Sequence, residues 1–342
     1  MSKIKVGIIG AGIVSEGHLE SLKKIPNVEI AGIADPNEEA RFRQSRKFEI
    51  KRTEADYKRL LDDNKMDLVY LCVPHYLHCK IAVETLEAGK NVVCEKPLAM
   101  NAKEAERMLK ASHDAKKMLF IAENHRFMPE NIKIRELINK GEIGKSFMCL
   151  SCFIGDEMRR MNDPHNWKGT KDKSGGGVII DSGPHMIDTL MSFFGEIESV
   201  LAFSQRLVVK AENKEEDTAI ISFIFRNRII ADLGLTFAAQ HNYFPNVYIG
   251  AGIRYDIYGT EGSIHLINGN TFPINVVKGR KIERWASEEL ARRHTADMNS
   301  HFIDCLTSGK EPLVTAEDGI RVMRVIDACY ESVKTGKRIL ID

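Results

Sequence analysis

Two short stretches combine ionisable residues in an order that could move a proton and stabilise a negative charge. In the first, Asp181 and His185 follow three consecutive glycines and are four positions apart, so on a helix they would share one face. An imidazole can accept a hydroxyl proton near neutral pH, and a carboxylate one turn away could orient it. A structural alternative stays open, in which Asp181 caps a helix beginning at Ser182 and His185 is a core histidine.

The second stretch is Glu95-Lys96-Pro97, which directly follows an apolar run ending at Cys94. The proline ring restricts Lys96 to an extended backbone, which helps to fix the direction of its ammonium group. An ammonium there could stabilise a developing alkoxide or pass a proton. A solvated lysine in a turn is the structural alternative.

The element that must position these residues is the stretch from Ile4 to Asp35. An apolar strand leads to Gly10 and Gly12, a helix follows, and a second apolar run ends at Asp35. This is the order of a dinucleotide-binding βαβ unit, in which the glycines allow a tight turn and a close approach to pyrophosphate. The helix N-terminus would face the same anion, and the acidic residue would accept hydrogen bonds from a ribose. The third glycine of the pattern is replaced by Ser15, which is also small; a strand-turn-helix without a ligand is the alternative.

Beyond Asp35, short apolar strands alternate with amphipathic helices, which is typical of a doubly wound parallel sheet. The strands are expected at 67–73, 91–94 and 118–122, and the helices at 41–48, 57–64, 81–88 and 102–115. We predict an α/β fold whose first domain, residues 1–123, is an N-terminal Rossmann domain with a parallel sheet.

The pattern changes after this domain, because strands then follow one another with few helices between them. Strands are expected at 146–153, 200–209, 218–225, 228–237, 255–258 and 263–267, helices at 129–140, 287–307 and 316–335, and a polar loop at 155–174. We therefore predict that residues 124–342 form an α+β domain for substrate binding and oligomerisation, built on a large, mainly antiparallel open sheet.

Composition narrows the class of function. The chain has 342 residues, 43% of them hydrophobic and 28% charged, and its net charge of +1 gives no electrostatic reason to expect nucleic acid or an anionic membrane as partner. We expect no signal peptide and no membrane span. The seven cysteines lie singly in apolar contexts, which favours reduced thiols and a cytoplasmic protein.

Several stretches together resemble the Gfo/Idh/MocA oxidoreductase family, which contains glucose-fructose oxidoreductase and inositol 2-dehydrogenase. The matching segments run almost from end to end: the glycine turn with His18, Val73-Pro74 with His78, Ala88 to Val92 leading into Glu95-Lys96-Pro97, Asn124 to Phe127, Trp167 before Gly175 to Gly177, Asp181 with His185, Gly259 to Ser263, and Asp318-Gly319. The Glu-Lys-Pro stretch at this distance from the glycine turn, followed by Asp-x-x-x-His, is the most specific of them.

The resemblance implies a two-domain NAD(P)-dependent dehydrogenase that acts on the CH–OH group of a sugar or an inositol-like cyclic polyol. His185 would take the hydroxyl proton as hydride leaves for nicotinamide, Asp181 would hold the imidazole, and Lys96 would bind the reacting oxygen. The Lys96–Pro97 bond is often cis in such proteins.

The resemblance also assigns residues to the two ligands. The implied cofactor-binding residues are Gly10, Gly12, Ile13, Val14, Asp35, Val73, Pro74, His75, His78, Glu95, Lys96, Asn124 and Arg126. The implied substrate-binding residues are Lys96, Trp167, Asp181 and His185. His75 departs from the asparagine that is common at its position.

Asp35 favours NAD over NADP because its carboxylate would repel a 2′-phosphate, and Arg41 and Arg43 lie too far along the next helix to be assigned a phosphate clamp. We expect no metal, because no ligand spacing of a known metal motif is present. An open sheet needs a covering partner, which predicts a homodimer or homotetramer. Two functions remain as alternatives: a non-catalytic dinucleotide-binding regulator and an NAD-dependent glycosidase. The loops 155–174 and 241–254 would set the substrate.

Overall fold

The computed structural model describes residues 3–163, 166–209, 215–239, 251–267, 273–286 and 294–341. Up to residue 127 its elements are β1 (Ile4–Ile9), α1 (Ile13–Leu22), β2 (Val28–Ala34), α2 (Glu38–Phe48), β3 (Thr53–Glu54), α3 (Tyr57–Leu61), β4 (Leu68–Leu71), α4 (His75–Glu87), β5 (Asn91–Glu95), α5 (Ala102–Ala115), β6 (Leu119–Ala122) and the 3₁₀ helix η1 (Asn124–Phe127).

The remaining elements begin with α6 and end with β15. They are α6 (Pro129–Asn139), β7 (Ser146–Gly155), α7 (Met158–Met161), the 3₁₀ helix η2 (Trp167–Gly169), α8 (Lys171–Ser174), α9 (Val178–Asp181), α10 (Gly183–Phe194), β8 (Ile197–Gln205), β9 (Thr218–Phe225), β10 (Ile230–Thr236), β11 (Ala251–Gly259), β12 (Ser263–Ile267), β13 (Ile274–Lys278), β14 (Lys281–Trp285), α11 (His294–Ser308), α12 (Ala316–Thr335) and β15 (Ile339–Leu340).

The chain divides into two compact units. The first comprises Met1–Phe127 and Arg293–Arg321, and the second comprises Met128–Arg292 and Val322–Asp342. Helix α11, which the sequence analysis placed in the second domain, packs against α1 and η1 within the first unit. The division into domains 1–123 and 124–342 stays a prediction, since packing units and functional domains are separate properties.

The first unit is built on a six-stranded sheet in the order β3-β2-β1-β4-β5-β6, in which every neighbouring pair is parallel. All residues of β4 and β6 are buried, as expected for strands covered on both faces by helices. The direction in which strands are added reverses between β1 and β4, and such a switch point is where open α/β sheets bind ligands. This confirms the predicted Rossmann-type sheet.

Local side chains explain where several helices of this unit begin. Asn37, Asp56 and Asn101 each accept a hydrogen bond from a backbone N–H in the first turn, at the N-termini of α2, α3 and α5. Helix α4 begins at His75, directly after Pro74, so the prediction of a helix over 81–88 captured only its second half. Proline at the helix start loses no hydrogen bond there, and its fixed φ suits the entry into the helix.

The second unit is built on a nine-stranded sheet in the order β14-β13-β12-β11-β7-β10-β9-β8-β15. Its neighbours are antiparallel except β7 and β10, which are parallel, so the predicted, mainly antiparallel sheet is confirmed. In β9 and β10 buried residues alternate with more exposed ones, which leaves one face of the sheet packed and the other outward. Strands β13, β14 and β15 were absent from the sequence prediction.

Other segments of this unit also differ from the sequence prediction. The predicted polar loop 155–174 contains three short helices, α7, η2 and α8. The predicted loop 241–254 lies largely outside the described residues, and its last residues belong to β11. Of the helix expected at 287–307, the structure places α11 at His294–Ser308, and residues 287–293 lie outside the described ranges.

All seven cysteines are free thiols, five of them buried. Burial raises the pKa of the Cys72 and Cys94 thiols well above the usual range, which keeps both protonated. Within the described ranges, the structure contains no helix with both the length and the apolar character needed to cross a bilayer.

Candidate active site

The turn after β1 brings two backbones into close contact. Gly10 has φ +100°, and a Cβ at this position would overlap the carbonyl oxygen of Cys72, just beyond β4. The Gly10 N–H donates to the carbonyl oxygen of Ala34, the last residue of β2, at 2.8 Å. Only glycine meets both the positive φ and the lack of space, so this turn closes at the switch point of the sheet.

Gly12 has the opposite surroundings. It is the N-cap of α1 and carries no side chain to cap the helix, and apart from its immediate chain neighbours no described protein atom lies within 4 Å of an ideal Cβ built on it. The adjoining Ile13 and Val14 are exposed. An uncapped helix N-terminus beside open space fits a diphosphate, because first-turn N–H groups and the helix dipole both favour an anion.

Ser15 takes the place of the third glycine without disturbing the turn. Its hydroxyl donates to the Gly12 carbonyl oxygen at 2.7 Å, and the residue is fully buried. The small side chain therefore allows the close helix-to-strand packing that the third glycine usually provides.

Asp35 lies at the end of β2, beside the same turn. One carboxylate oxygen accepts from the Ala11 N–H at 2.6 Å and the other accepts from the Asn37 N–H at 2.8 Å. The Arg41 guanidinium donates to the Asp35 carbonyl oxygen at 2.5 Å. The Arg41 side chain therefore folds back from α2 to the end of β2.

The segment after β4 is joined to the turn after β5 by His78. Its Nδ1 lies 2.8 Å from the Pro97 carbonyl oxygen and its Nε2 lies 2.9 Å from the Val73 carbonyl oxygen. The side chain is fully buried, and burial lowers its pKa although both carbonyl oxygens favour the protonated form. His75, one turn earlier, is also buried and meets the His78 ring at 5.7 Å. In this structure His78 holds the two strand ends together.

Glu95 ends β5 and is held by partners that are remote in sequence. Its carboxylate lies 2.7 Å from Nε2 of His18, and His18 Nδ1 lies 3.0 Å from the side-chain oxygen of Asn299. Rotating the Asn299 amide by half a turn would give its buried Nδ2 a partner and let His18 Nε2–H donate to Glu95. Lys96 follows at the same strand end, and the Lys96–Pro97 bond is cis. The buried His18 and Asn299 thus fix the residue before Lys96.

The segment after β6 adds a buried carboxyl group and two predicted cofactor-binding residues. Burial raises the pKa of Glu123, while the positive charges of His125, Lys96 and Arg126 oppose that rise. The Arg126 guanidinium lies 3.8 Å from the Asp318 carboxylate. The side-chain oxygen of Asn124 is buried and has no hydrogen-bond partner among the described residues, as expected for an acceptor that meets a ligand.

In the second unit, a buried carboxylate organises the glycine turn before α9. Glu216 Oε1 accepts from the N–H groups of Gly177 and Ile179, both at 3.1 Å, and from the Tyr330 hydroxyl at 2.9 Å. A Cβ on Gly177 would overlap the Glu216 carbonyl oxygen, and one on Gly176 would overlap the Tyr330 hydroxyl. Burial raises the pKa of Glu216. Gly176 and Gly177 therefore allow the turn to pack against the Tyr330 hydroxyl and the Glu216 backbone.

Asp181 and His185 lie on two consecutive helices and not on one. Asp181 is the last residue of α9, Ser182 lies between the helices, and His185 is in the first turn of α10. Ser182 is the N-cap residue of α10, and its own side chain makes no capping hydrogen bond. Asp181 is buried, whereas His185 is partly exposed and its carbonyl oxygen accepts from the Thr189 hydroxyl at 2.7 Å.

Lys168, which was not among the predicted site residues, contacts the Asp181 carboxylate. Lys168 Nζ lies 2.7 Å from Asp181 Oδ2, and it also lies 5.9 Å from the ring centroid of Trp167, its neighbour in η2. No spacing rule links residues 168 and 181 across two short helices and a glycine turn. Glu123, His18, Asn299 and Glu216 were overlooked as partners for the same reason.

Two family models together match most of the chain. Residues 4–123 match the model described as "Oxidoreductase family, NAD-binding Rossmann fold", and residues 135–341 match "Oxidoreductase family, C-terminal alpha/beta domain" of the same family. The chain belongs to the Gfo/Idh/MocA oxidoreductase family. The resemblance stated from the sequence is thereby confirmed, and so is the NAD-binding domain.

Curated relatives of this Gfo/Idh/MocA protein include dehydrogenases of several carbohydrates. The chain is 25% identical to the myo-inositol 2-dehydrogenase of Thermotoga maritima, over 99% of each chain. It is 26% identical to the levoglucosan dehydrogenase of Pseudarthrobacter phenanthrenivorans, over 77% of this chain and 73% of the relative. It is also 26% identical to the D-glucoside 3-dehydrogenase of Escherichia coli, over 99% and 97% of the two chains.

A solved structure with the same fold is that of a levoglucosan dehydrogenase in complex with NADH. The two chains align over 100% of each, with a TM-score of 0.89 and 22% sequence identity. At this identity the likeness establishes the fold of the Gfo/Idh/MocA chain and leaves its substrate open.

The contrast between Gly10 and Gly12 gives a test of the dinucleotide site in this Gfo/Idh/MocA domain. We expect Gly12→Ala to weaken NADH binding about 10-fold, because the added methyl group enters the space for the pyrophosphate. Thermal unfolding should be nearly unchanged, since no described atom lies near this Cβ. Binding is measured by titrating the fluorescence of NADH.

Gly10→Ala is the matched control. It should lower the unfolding temperature, because the new Cβ overlaps the Cys72 backbone and the positive φ is strained for alanine. Unaltered NADH affinity in a stable Gly12→Ala protein would show that the diphosphate lies elsewhere.

Proposed function

We propose that this oxidoreductase transfers hydride between NAD and a secondary alcohol of a sugar or an inositol-like cyclic polyol. The observation that carries the proposal is that Lys96, Asp181 and His185 are all present in a chain whose relatives are named for levoglucosan, inositol and glucoside oxidation. A cation, a carboxylate and an imidazole are the groups needed to move a hydroxyl proton and to stabilise an alkoxide.

Each of the three residues has a separate role in the proposal. His185 accepts the hydroxyl proton at its imidazole, Asp181 holds the imidazole and balances its charge, and Lys96 donates a hydrogen bond to the reacting oxygen. His185 has the exposure that a proton acceptor needs, and Asp181 is buried, as an orienting carboxylate should be. NAD supplies the hydride acceptor when it is bound.

The first unit supplies the features for cofactor binding that this proposal uses. Gly12 with the uncapped N-terminus of α1 would take the diphosphate, and Asp35 would take the adenosine ribose. Asn124 would offer its buried amide oxygen to the cofactor. The remaining proposed contacts would come from the segments that follow these strands: Ile13 and Val14 in α1, Val73 and Pro74 after β4, His75 and His78 in α4, Glu95 and Lys96 at the end of β5, and Arg126 in η1. Trp167 is proposed as a substrate contact.

The function is tested with a panel of inositols, sugars, anhydrosugars and glucosides, together with their keto forms, using NAD(H) and NADP(H). We expect turnover, followed by absorbance of the reduced nicotinamide, with at least one of these alcohols. His185→Ala should lower kcat by roughly 10²–10⁴-fold, because the proton acceptor is removed.

Two results would contradict this function. One is a wild-type enzyme that binds NADH yet oxidises or reduces no compound of the panel. The other is a His185→Ala protein with full kcat on the best substrate. NADH titration and thermal unfolding of this variant serve as controls, and both should match the wild type.

We further propose that the enzyme prefers NAD to NADP, because Asp35 would repel a 2′-phosphate. Asp35→Asn should reduce the ratio of kcat/KM for NAD to that for NADP by roughly 10-fold, since it removes the charge. Its remaining carbonyl oxygen can still accept from the Ala11 N–H. Asp35→Ser, which also removes that acceptor, should shift the ratio in the same direction and additionally lower stability. A ratio that stays constant in both variants would argue against the ribose contact.

The outward face of the nine-stranded sheet supports self-association. Phe203, Ile220 and Ile230 on β8, β9 and β10 are 63%, 56% and 53% exposed. Phe203 and Ile220 are direct cross-strand neighbours. Adjacent exposed apolar side chains of this kind mark an interaction surface, and we propose that a second copy of the chain covers it, giving a homodimer or homotetramer.

Ile220→Lys should shift the protein towards the monomer in sedimentation velocity, because it places a charge within the proposed interface. The control is Leu207→Lys, at an exposed leucine in the loop after β8, which should leave the oligomer intact. A monomeric wild-type protein at micromolar concentration would refute the proposal.

A further inference from the structure

The segment between β7 and α9 contains Lys168, whose ammonium group contacts the Asp181 carboxylate. Lys168 belongs to η2, and its backbone N–H donates to the Asn166 side-chain oxygen at 3.0 Å. Its ammonium donates to Asp181 Oδ2 at 2.7 Å, a short, charge-assisted hydrogen bond. The lysine side chain is 21% exposed and that of Asp181 is 12% exposed, so water screens the pair only in part.

Because both side chains are partly buried, their electrostatic attraction is stronger than that of an ordinary surface ion pair. A carboxylate that has lost most of its hydration needs hydrogen-bond donors or an opposite charge. Lys168 supplies both to one oxygen of Asp181, which restricts rotation of the carboxylate about its side-chain bonds.

The lysine head also lies beside Trp167, with the ammonium nitrogen 5.9 Å from the ring centroid. This distance is within the range of a cation–π contact, which adds a second restraint on the position of the ammonium group. Trp167 is itself a proposed substrate contact. The same short helix therefore links the substrate-facing segment to the carboxylate that is proposed to hold His185.

We propose that Lys168 is a positioning residue of the dehydrogenase: it fixes the Asp181 carboxylate and thereby the proton acceptor His185. This inference rests on the proposed function. Lys168 acts through Asp181, so its contribution should vanish when the Asp181 carboxylate is absent. It should also depend on the positive charge, so arginine should replace lysine better than an uncharged side chain of similar length.

The test compares Lys168→Met and Lys168→Arg on the best substrate of the panel. Lys168→Met should lower kcat about 10-fold, the size expected for losing one hydrogen bond to a charged group, and leave the KM for NAD within about 2-fold. Lys168→Arg should recover most of the lost kcat. The matched control is Lys171→Met in α8, where the lysine pairs with Glu215 at 3.5 Å, and its kcat should equal that of the wild type.

A double-mutant cycle with Asp181→Asn tests whether Lys168 affects kcat through the Asp181 carboxylate. Lys168→Met should cost about 10-fold in kcat in the wild type and almost nothing in the Asp181→Asn background. The same four proteins are compared by thermal unfolding, where a coupling between the two positions measures the contact independently of activity.

The outcomes separate the two proposals. Coupling in unfolding with an undiminished kcat for Lys168→Met would make the pair purely structural and overturn the positioning role alone. An equal loss of kcat in both backgrounds would also overturn it, because Lys168 would then act without Asp181. A wild-type enzyme that oxidises no sugar or polyol overturns the proposed function, and this role with it.

Discussion

The close approach of Gly10 to the backbone after β4 is the constraint on which the arrangement of the first unit depends. A Cβ on this residue would overlap the Cys72 carbonyl oxygen, so any other side chain would have to move apart the two strands that flank the switch point. Closing the turn there leaves the N-terminus of α1 directed towards the open space at Gly12. The same edge of the sheet carries the ends of β5 and β6, because parallel strands place their carboxyl ends together.

The residues at these strand ends are fixed by partners that come from distant parts of the chain. Glu95 is held by His18, 77 positions before it, and His18 contacts Asn299, which lies 281 positions after His18. The second unit uses the same principle, since Glu216 accepts from the glycine turn 39 residues earlier and from Tyr330. Such buried polar groups must be satisfied, and they specify one packing where an apolar core would permit several.

Much of this architecture could be predicted from the sequence, because it depends on local patterns. The alternation of apolar strands and amphipathic helices indicated the parallel sheet, and the glycines with Asp35 indicated the binding edge. Strand β14 was missed because it has no buried face to give an alternating apolar pattern; four of its residues are exposed and none is buried. The two-residue strand β15 is too short to give a periodic signal at all.

Only those parts of the site whose residues lie close together in the sequence could be predicted. The interval between Asp181 and His185 suggested one helical face, but the helix ends at Asp181 and restarts after Ser182, with φ −100° and ψ −24°. Arg41 makes a contact that residue spacing did not indicate: the fold brings its guanidinium back to the Asp35 carbonyl oxygen. Long side chains and tertiary packing decide such contacts, and neither is encoded in residue spacing.

The buried glutamates Glu123 and Glu216 lie in different electrostatic environments although both are buried. Burial raises the pKa of both Glu123 and Glu216. Around Glu123 the influences that lower the pKa are the charges of His125, Lys96 and Arg126 together with a hydrogen bond from the His125 backbone N–H. Around Glu216 they are mainly backbone N–H groups and the Tyr330 hydroxyl, which are neutral donors fixed by the fold. A charge change at the strand ends of the first unit should therefore be felt at Glu123, whereas the Glu216 carboxyl responds chiefly to the packing of its glycine turn.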